Sequence, residues 1–322
     1  MNTQGNPVDR LLQSALAWVS GGDFARAAIL AEEAATLHGQ AGRTADQALT
    51  LQLAAALKWA AGDTESSRVL SLRAARIAPE NLPITVASLA SQAEAAAAQG
   101  HYRRAADIFG ASLENARAAR LPPSSQIALL RRRGACQIAD GDYAAADTDF
   151  AAATDLASPR IAAFLRTEQA RLLLDAGQAD AAARVLPEPD LPEPGLSDPQ
   201  LLAEIEAQKA RLARATGDVE AMRQHASAAR SAALVAVAPV PYFTASVELA
   251  EAFDLLGRRT EAYTIMTTAW ATLSDLLGSN LARSWIEPCL IALQLRWGDA
   301  QFSAVKQAHD ARRRADREAG LQ

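Results

Sequence analysis

The residues of this chain that could do chemistry are few and scattered. His38, His101, His225 and His309 would be metal ligands or proton carriers if two of them shared a helix face at i and i+3 or i+4. None stands at that distance from another His or Cys. His101 follows a turn glycine and reads as a capping or surface residue. Cys136 and Cys289 are 153 positions apart, which is neither metal spacing nor the density of a disulfide scaffold. Both lie in apolar helical stretches with no electropositive activator, so they read as packing residues suited to a reducing cytoplasm. Paired acids such as Glu32 with Glu33, or Glu204 with Glu206, read as helix surface, because adjacent and alternate positions on a helix do not face one another. No GxSxG, P-loop, HExxH, GxGxxG or EF-hand pattern occurs. The expectation is no catalytic residue, no metal and no cofactor.

What remains is chemistry of recognition. Arginine outnumbers lysine 29 to 3, and its planar fork suits carboxylates. Arg131 to Arg133 must in part face solvent or a ligand, while Arg312, Arg313, Arg314 and Arg317 read as a solvated helix tail. A formal charge of −5 gives no basic field for a phosphate backbone, so nucleic acid is not the expected partner. The first residues lack an apolar core for a leader, and no window offers an uninterrupted apolar span, so neither export nor a membrane is expected.

The elements that would position such groups are helices. Half the residues are apolar yet only 5% are aromatic, so alanine and leucine dominate and strand signals are weak. Glycine punctuates the chain at Gly22, Gly62, Gly100, Gly141, Gly177, Gly217, Gly257 and Gly298, in steps of 36 to 41 residues. In five places aspartate follows (Asp23, Asp63, Asp142, Asp218, Asp299), which predicts a left-handed glycine ending one helix and an aspartate capping the next. Seven residues before each glycine the column reads Ala15, Ala55, Ala93, Gly134, Ala170, Ala210, Ala250 and Ile291. Five residues after, it reads Ala27, Ser67, Ala105, Ala146, Ala182, Met222, Ala262 and Ser303. Small residues at fixed points of both helices predict close backbone approach. Larger knobs are expected at Leu11, Leu51, Leu89 and Leu130, eleven before the glycine, and at Phe24, Tyr102 and Tyr143, two after it. The leucine column decays to Arg166, Glu206 and Ser246.

The segments GGDFARAAILAEEAA, GHYRRAADIFGASLENA and GDYAAADTDFAAATDLASP carry a resemblance to the tetratricopeptide repeat family over roughly residues 8 to 275. The spacing here averages about 39 residues rather than the usual 34, similar to long-repeat variants. The resemblance implies an all-α fold, a right-handed superhelical solenoid of antiparallel helix pairs whose first helices line a concave face. The expected organisation is an N-terminal array at 1–186, an acidic proline-rich connection at 187–199 serving as hinge or loop, a continued array at 200–278 and degenerate capping helices at 279–322. Val235 to Phe243, with Pro239 and Pro241, is expected as a second, shorter break.

With that geometry, positions six and three before each glycine face the groove. They supply apolar Leu16, Val19 and Trp59 in the first units, then Arg171, Arg211 and Arg214, then Glu251 and Asp254; Arg131 lies nearby. The arginines would either receive an acidic segment of a partner or pair with Asp175, Glu251 or Asp254 and tie neighbouring repeats together. The carboxylate-clamp subtype, which needs groove asparagines, is not expected, since asparagine occurs only at 2, 6, 81, 115 and 280. The expected function is a non-enzymatic scaffold, adaptor or assembly factor in a bacterial cytoplasm, binding a protein or peptide. The alternatives are a sensor of a small molecule or signalling peptide, and an enzyme on a helical array. Trp270, Trp285 and Trp297 would be the surface of a homodimer if they were exposed.

Overall fold

The computed structural model describes residues 6–187 and 198–318, in two compact units, Met1–Ser158 and Pro159–Gln322. Among the described residues every regular element is an α-helix. Unit 1 contains α1 (Pro7–Ser20), α2 (Phe24–Gln40), α3 (Thr44–Ala60), α4 (Thr64–Ile77), α5 (Leu82–Ala98), α6 (Tyr102–Ala118), α7 (Pro123–Asp140) and α8 (Tyr143–Asp155). Unit 2 contains α9 (Pro159–Asp175), α10 (Ala179–Val185), α11 (Pro199–Thr216), α12 (Val219–Val235), α13 (Pro239–Leu255), α14 (Arg259–Leu277), α15 (Ser279–Trp297) and α16 (Asp299–Glu318). Within each unit a helix packs mainly on the one before it and the one after it.

The glycine turns form as their spacing predicts. Seven of the eight, Gly22 to Gly257, have φ between 72° and 87°, and the following N–H returns to a carbonyl five residues back, as in Asp142 N to Gln137 O at 2.8 Å. Asp23, Asp63, Asp142 and Asp218 then cap the second helix by accepting from the N–H three residues on, at 2.9 to 3.1 Å. Such a cap contributes about 1 kcal/mol. The eighth turn differs: Gly298 has ψ 156°, Asp299 is already helical, and its carboxylate accepts from Gln294 Nε2 at 2.7 Å. At the start of α6, His101 occupies the cap position but its side chain makes no capping bond.

Five first helices, α1, α7, α9, α11 and α13, begin on proline, where a missing N–H costs nothing because the first turn has no acceptor for it. The expected break at Val235 to Phe243 is therefore only Ala236 to Ala238, since Pro239 and Pro241 start α13 rather than interrupt it. The expected connection at 187–199 falls largely on residues outside those described. On either side of it α9 and α10 pack against α11.

Both small-residue columns are buried through the first seven pairs. Gly134 has Phe150 of α8 lying against its backbone. Leu51 and Leu130 are buried, but Tyr102 is exposed and is no core knob. The last pair departs from the pattern because Ile291, not Ala or Gly, stands in the small column. It is half exposed, and α16 leans on α14 as well as α15, through Phe302 on Tyr263 (5.6 Å between ring centroids) and His309 Nε2 near Thr267 Oγ1 (3.2 Å). Trp297 is buried, and Trp270 and Trp285 are half-buried against the same core. Apolar exposure at this end belongs to Leu281, Ile291 and Leu295 of α15.

Candidate functional site: the first-helix faces

In unit 1 the first-helix face carries few charges. Leu16 is 64% exposed and Trp59 47% exposed, whereas Val19 is half-buried against the core of α1 to α4. The Arg132 guanidinium carbon stands 5.9 Å from the centroid of the Trp59 ring, and its Nη1 pairs with Glu94 Oε1 at 2.9 Å. One indole, one carboxylate and one guanidinium thus run across α3, α5 and α7. Arg131 is half-buried beside them in sequence. The neighbouring Arg133 turns the other way, its Nε donating to the buried carboxylate of Asp149 on α8 at 2.6 Å.

In unit 2 the same face is a chain of ion pairs. Arg171 Nη1 meets Asp175 Oδ2 at 3.2 Å, and Arg211 Nη2 reaches Asp175 Oδ1 at 2.6 Å while its Nη1 donates to Gln208 at 3.0 Å. Arg214 pairs with Glu251 at 3.0 Å. Asp254 takes none of these three. It is nearly buried, and accepts from Trp297 Nε1 at 2.6 Å and Arg296 Nη1 at 2.9 Å, joining α13 to α15. The arginines therefore tie α9, α11 and α13 together. Exposed pairs of this kind contribute about 0 to 1 kcal/mol each.

Glu248, one turn before Glu251, was not singled out by sequence. Burial pushes its carboxyl up to about 7 against the opposing pull of Arg211 and Arg214, and its Oε2 is buried with no hydrogen-bond partner. Glu94 stands on a ladder already read, but Arg132, Gln208 and Glu248 share a third, nine residues before each glycine, and extending the ladders by one helical turn would have found them.

The other polar groups are placed apart from these faces. Glu206 is only 6% exposed, contrary to the expectation of a surface acid, because His225 Nδ1 at 2.8 Å and Lys209 Nζ at 3.7 Å satisfy it. The buried Cys136 thiol is pushed up to about 11 by burial and by Glu94, and burial also raises Cys289, which makes both poor nucleophiles. Among the described residues no group of three or more His, Cys, Asp or Glu could hold a metal ion, and no helix is long and apolar enough to cross a membrane.

No protein-family model matches the chain, and no curated protein matches its sequence. Among solved structures it is similar to a tetratricopeptide repeat protein from Parabacteroides merdae ATCC 43184, at 15% identity over 89% of this chain and 100% of that one, with a TM-score of 0.51. BtubC (BKLC) from P. vanneervenii matches at 14% identity over 85% of this chain and 94% of that one, with a TM-score of 0.42. With its repeated helix pairs, the chain is an all-α solenoid of tetratricopeptide-like type.

Proposed function

We propose that this chain is a non-enzymatic interaction scaffold, an adaptor or assembly factor that holds a partner protein or peptide on its first-helix faces. The observation that carries this reading is Trp59, a half-exposed indole with a guanidinium over its ring, on the first-helix face of unit 1 that also carries the exposed Leu16. Large aromatic side chains left half in water, each beside an arginine, are typical anchors of protein interfaces. Arg171, Arg211 and Arg214 support a partner with an acidic segment, whose carboxylates would replace Asp175 and Glu251 in pairs of low net worth. Glu251 and Asp254 would frame the face of unit 2 and Arg131 that of unit 1, and the two free thiols suit a reducing cytoplasm.

The test is affinity capture from a native lysate with wild type and a variant carrying Trp59→Ala, Arg171→Ala, Arg211→Ala and Arg214→Ala, after circular dichroism shows both helical. A specific protein held only by wild type supports the reading. Equal capture by both removes these faces from the function, and no specific capture by wild type removes the scaffold itself.

A further inference from the structure

A second recessed surface lies on the opposite flank of unit 2, among α10, α11 and α12. The seven-residue α10 is the shortest helix described, and it leaves a cleft of about 450 Å³ that its neighbours do not fill. That volume suits a small ligand. On α11 the cleft is lined by Lys209, Leu212, Ala213 and Thr216, nearly opposite in helical phase to Arg211 and Arg214, so it is not part of the faces described above.

The lining is bipolar. Asp180 and Asp218 stand at the end marked by the Gly177 and Gly217 turns, and Lys209 and His225 stand toward the other end. Between them the wall is apolar, from Leu212, Ala213 and Ala183. Asp218 gives one oxygen to the cap of α12, accepting from Ala221 N at 2.9 Å, which leaves Oδ2 for another donor. Lys209 and His225 both lie against the buried Glu206: its Oε2 is 2.8 Å from His225 Nδ1, so Nε2 is the remaining ring nitrogen, and its Oε1 stands 3.7 Å from the Lys209 ammonium, an ion pair beyond hydrogen-bond distance. A lysine ammonium and an imidazole nitrogen at one end and two carboxylates at the other call for a ligand with a carboxylate at the first end and a cationic donor at the second. Asp218 and His225 are seven positions apart on α12, about 10 Å along the axis, and an extended peptide covers about 10 Å in three residues.

We propose that this cleft binds a short, free-ended apolar peptide of about three residues, its ammonium between Asp180 and Asp218 and its carboxylate on Lys209 and His225. The Asp pair and the Lys–His pair read the two termini, and the apolar wall takes the central side chain.

Calorimetric titration of the full chain with alanyl-leucyl-alanine tests this. Saturable binding is expected, weakened at least about tenfold by N-acetylation and likewise by C-amidation of the peptide, since each blocked end loses one charged partner. Asp180→Asn and Asp218→Asn, which keeps its capping ability, should each weaken binding at least about fivefold. Lys209→Met should do the same, and the His225 ring resonances should shift on titration. The variant of Trp59 and the three arginines should bind the tripeptide as wild type does, so failure of the scaffold reading leaves this one standing. Absence of binding, equal binding of blocked peptides, or loss of binding in the Trp59 and arginine variant would each overturn it.

Discussion

The ring of Phe150 lies flat enough on the backbone of Gly134 that a Cβ there would stand 2.8 Å from Cε2 and 2.9 Å from Cδ2. Phe150 is fully buried, so it has no room to retreat. Gly134→Ala should destabilise unit 1 by about 1 to 3 kcal/mol despite the better helix propensity of alanine. Phe150→Leu in the same chain should recover part of that loss. Urea unfolding of the single and double variants measures both, and an alanine variant as stable as wild type would disprove the close fit.

Val237 sits where the glycine turns place glycine, with φ 52°, and closes α12 through Ala238 N to Ala233 O at 3.0 Å. A β-branched residue in the left-handed region is strained, and Val237 is 65% exposed, so its side chain returns little in packing. Val237→Gly should raise stability by about 1 kcal/mol. The check is the thermal midpoint, which should rise by a few degrees; a fall would show that the side chain matters more than the backbone.

Asp149 is almost wholly buried and is held in a two-pronged pair by Arg133, whose guanidinium the carboxylate keeps firmly protonated. Arg133→Met should cost about 3 to 5 kcal/mol, because it leaves a buried charge without a partner. The double replacement of Arg133→Met with Asp149→Leu should cost much less than the single one. Chemical denaturation of the set gives the coupling directly.

Glu248 predicts a pH dependence of definite sign. Its carboxyl is pushed from 4.5 to about 7 in the folded chain, so between those values the folded state holds the proton more tightly than the unfolded state. Stability therefore falls as pH rises through that window, and the loss is complete above about 7. Glu248→Gln should be more stable than wild type at pH 8, by an amount on the order of 2 to 3 kcal/mol, and nearly equal to it at pH 4. Stability curves at the two pH values decide; the same difference at both would exclude Glu248 as its source.

The fold was legible because its determinants are local. A glycine that must adopt positive φ, an aspartate that caps three residues on and an alanine that permits close approach each act within one helix pair, and their spacing survives in the sequence. The candidate site was legible by halves. Helical periodicity put Trp59 and Leu16 on the first-helix face of unit 1 and the three arginines on that of unit 2, but it could not say that Val19 leans into the core or that Asp175 sits between two arginines. Those outcomes depend on how far one first helix stands from the next. Glu206 was misjudged for the same reason: its partners lie one turn along its own helix and on the facing α12, and only packing brings His225 over it. Pro239 and Pro241 misled because proline is read as a breaker, although at the start of a helix it is a good first residue.

Because within each unit a helix rests mainly on its immediate neighbours in the chain, most contacts close a short loop. The entropy cost of closure is then met within one or two helix pairs, and the sequence separation of contacts stays low relative to length. Chains of that kind fold quickly and without waiting for distant segments. During synthesis, Gly134 can therefore seat against Phe150 as soon as α8 leaves the ribosome, while the residues of α16 are still untranslated.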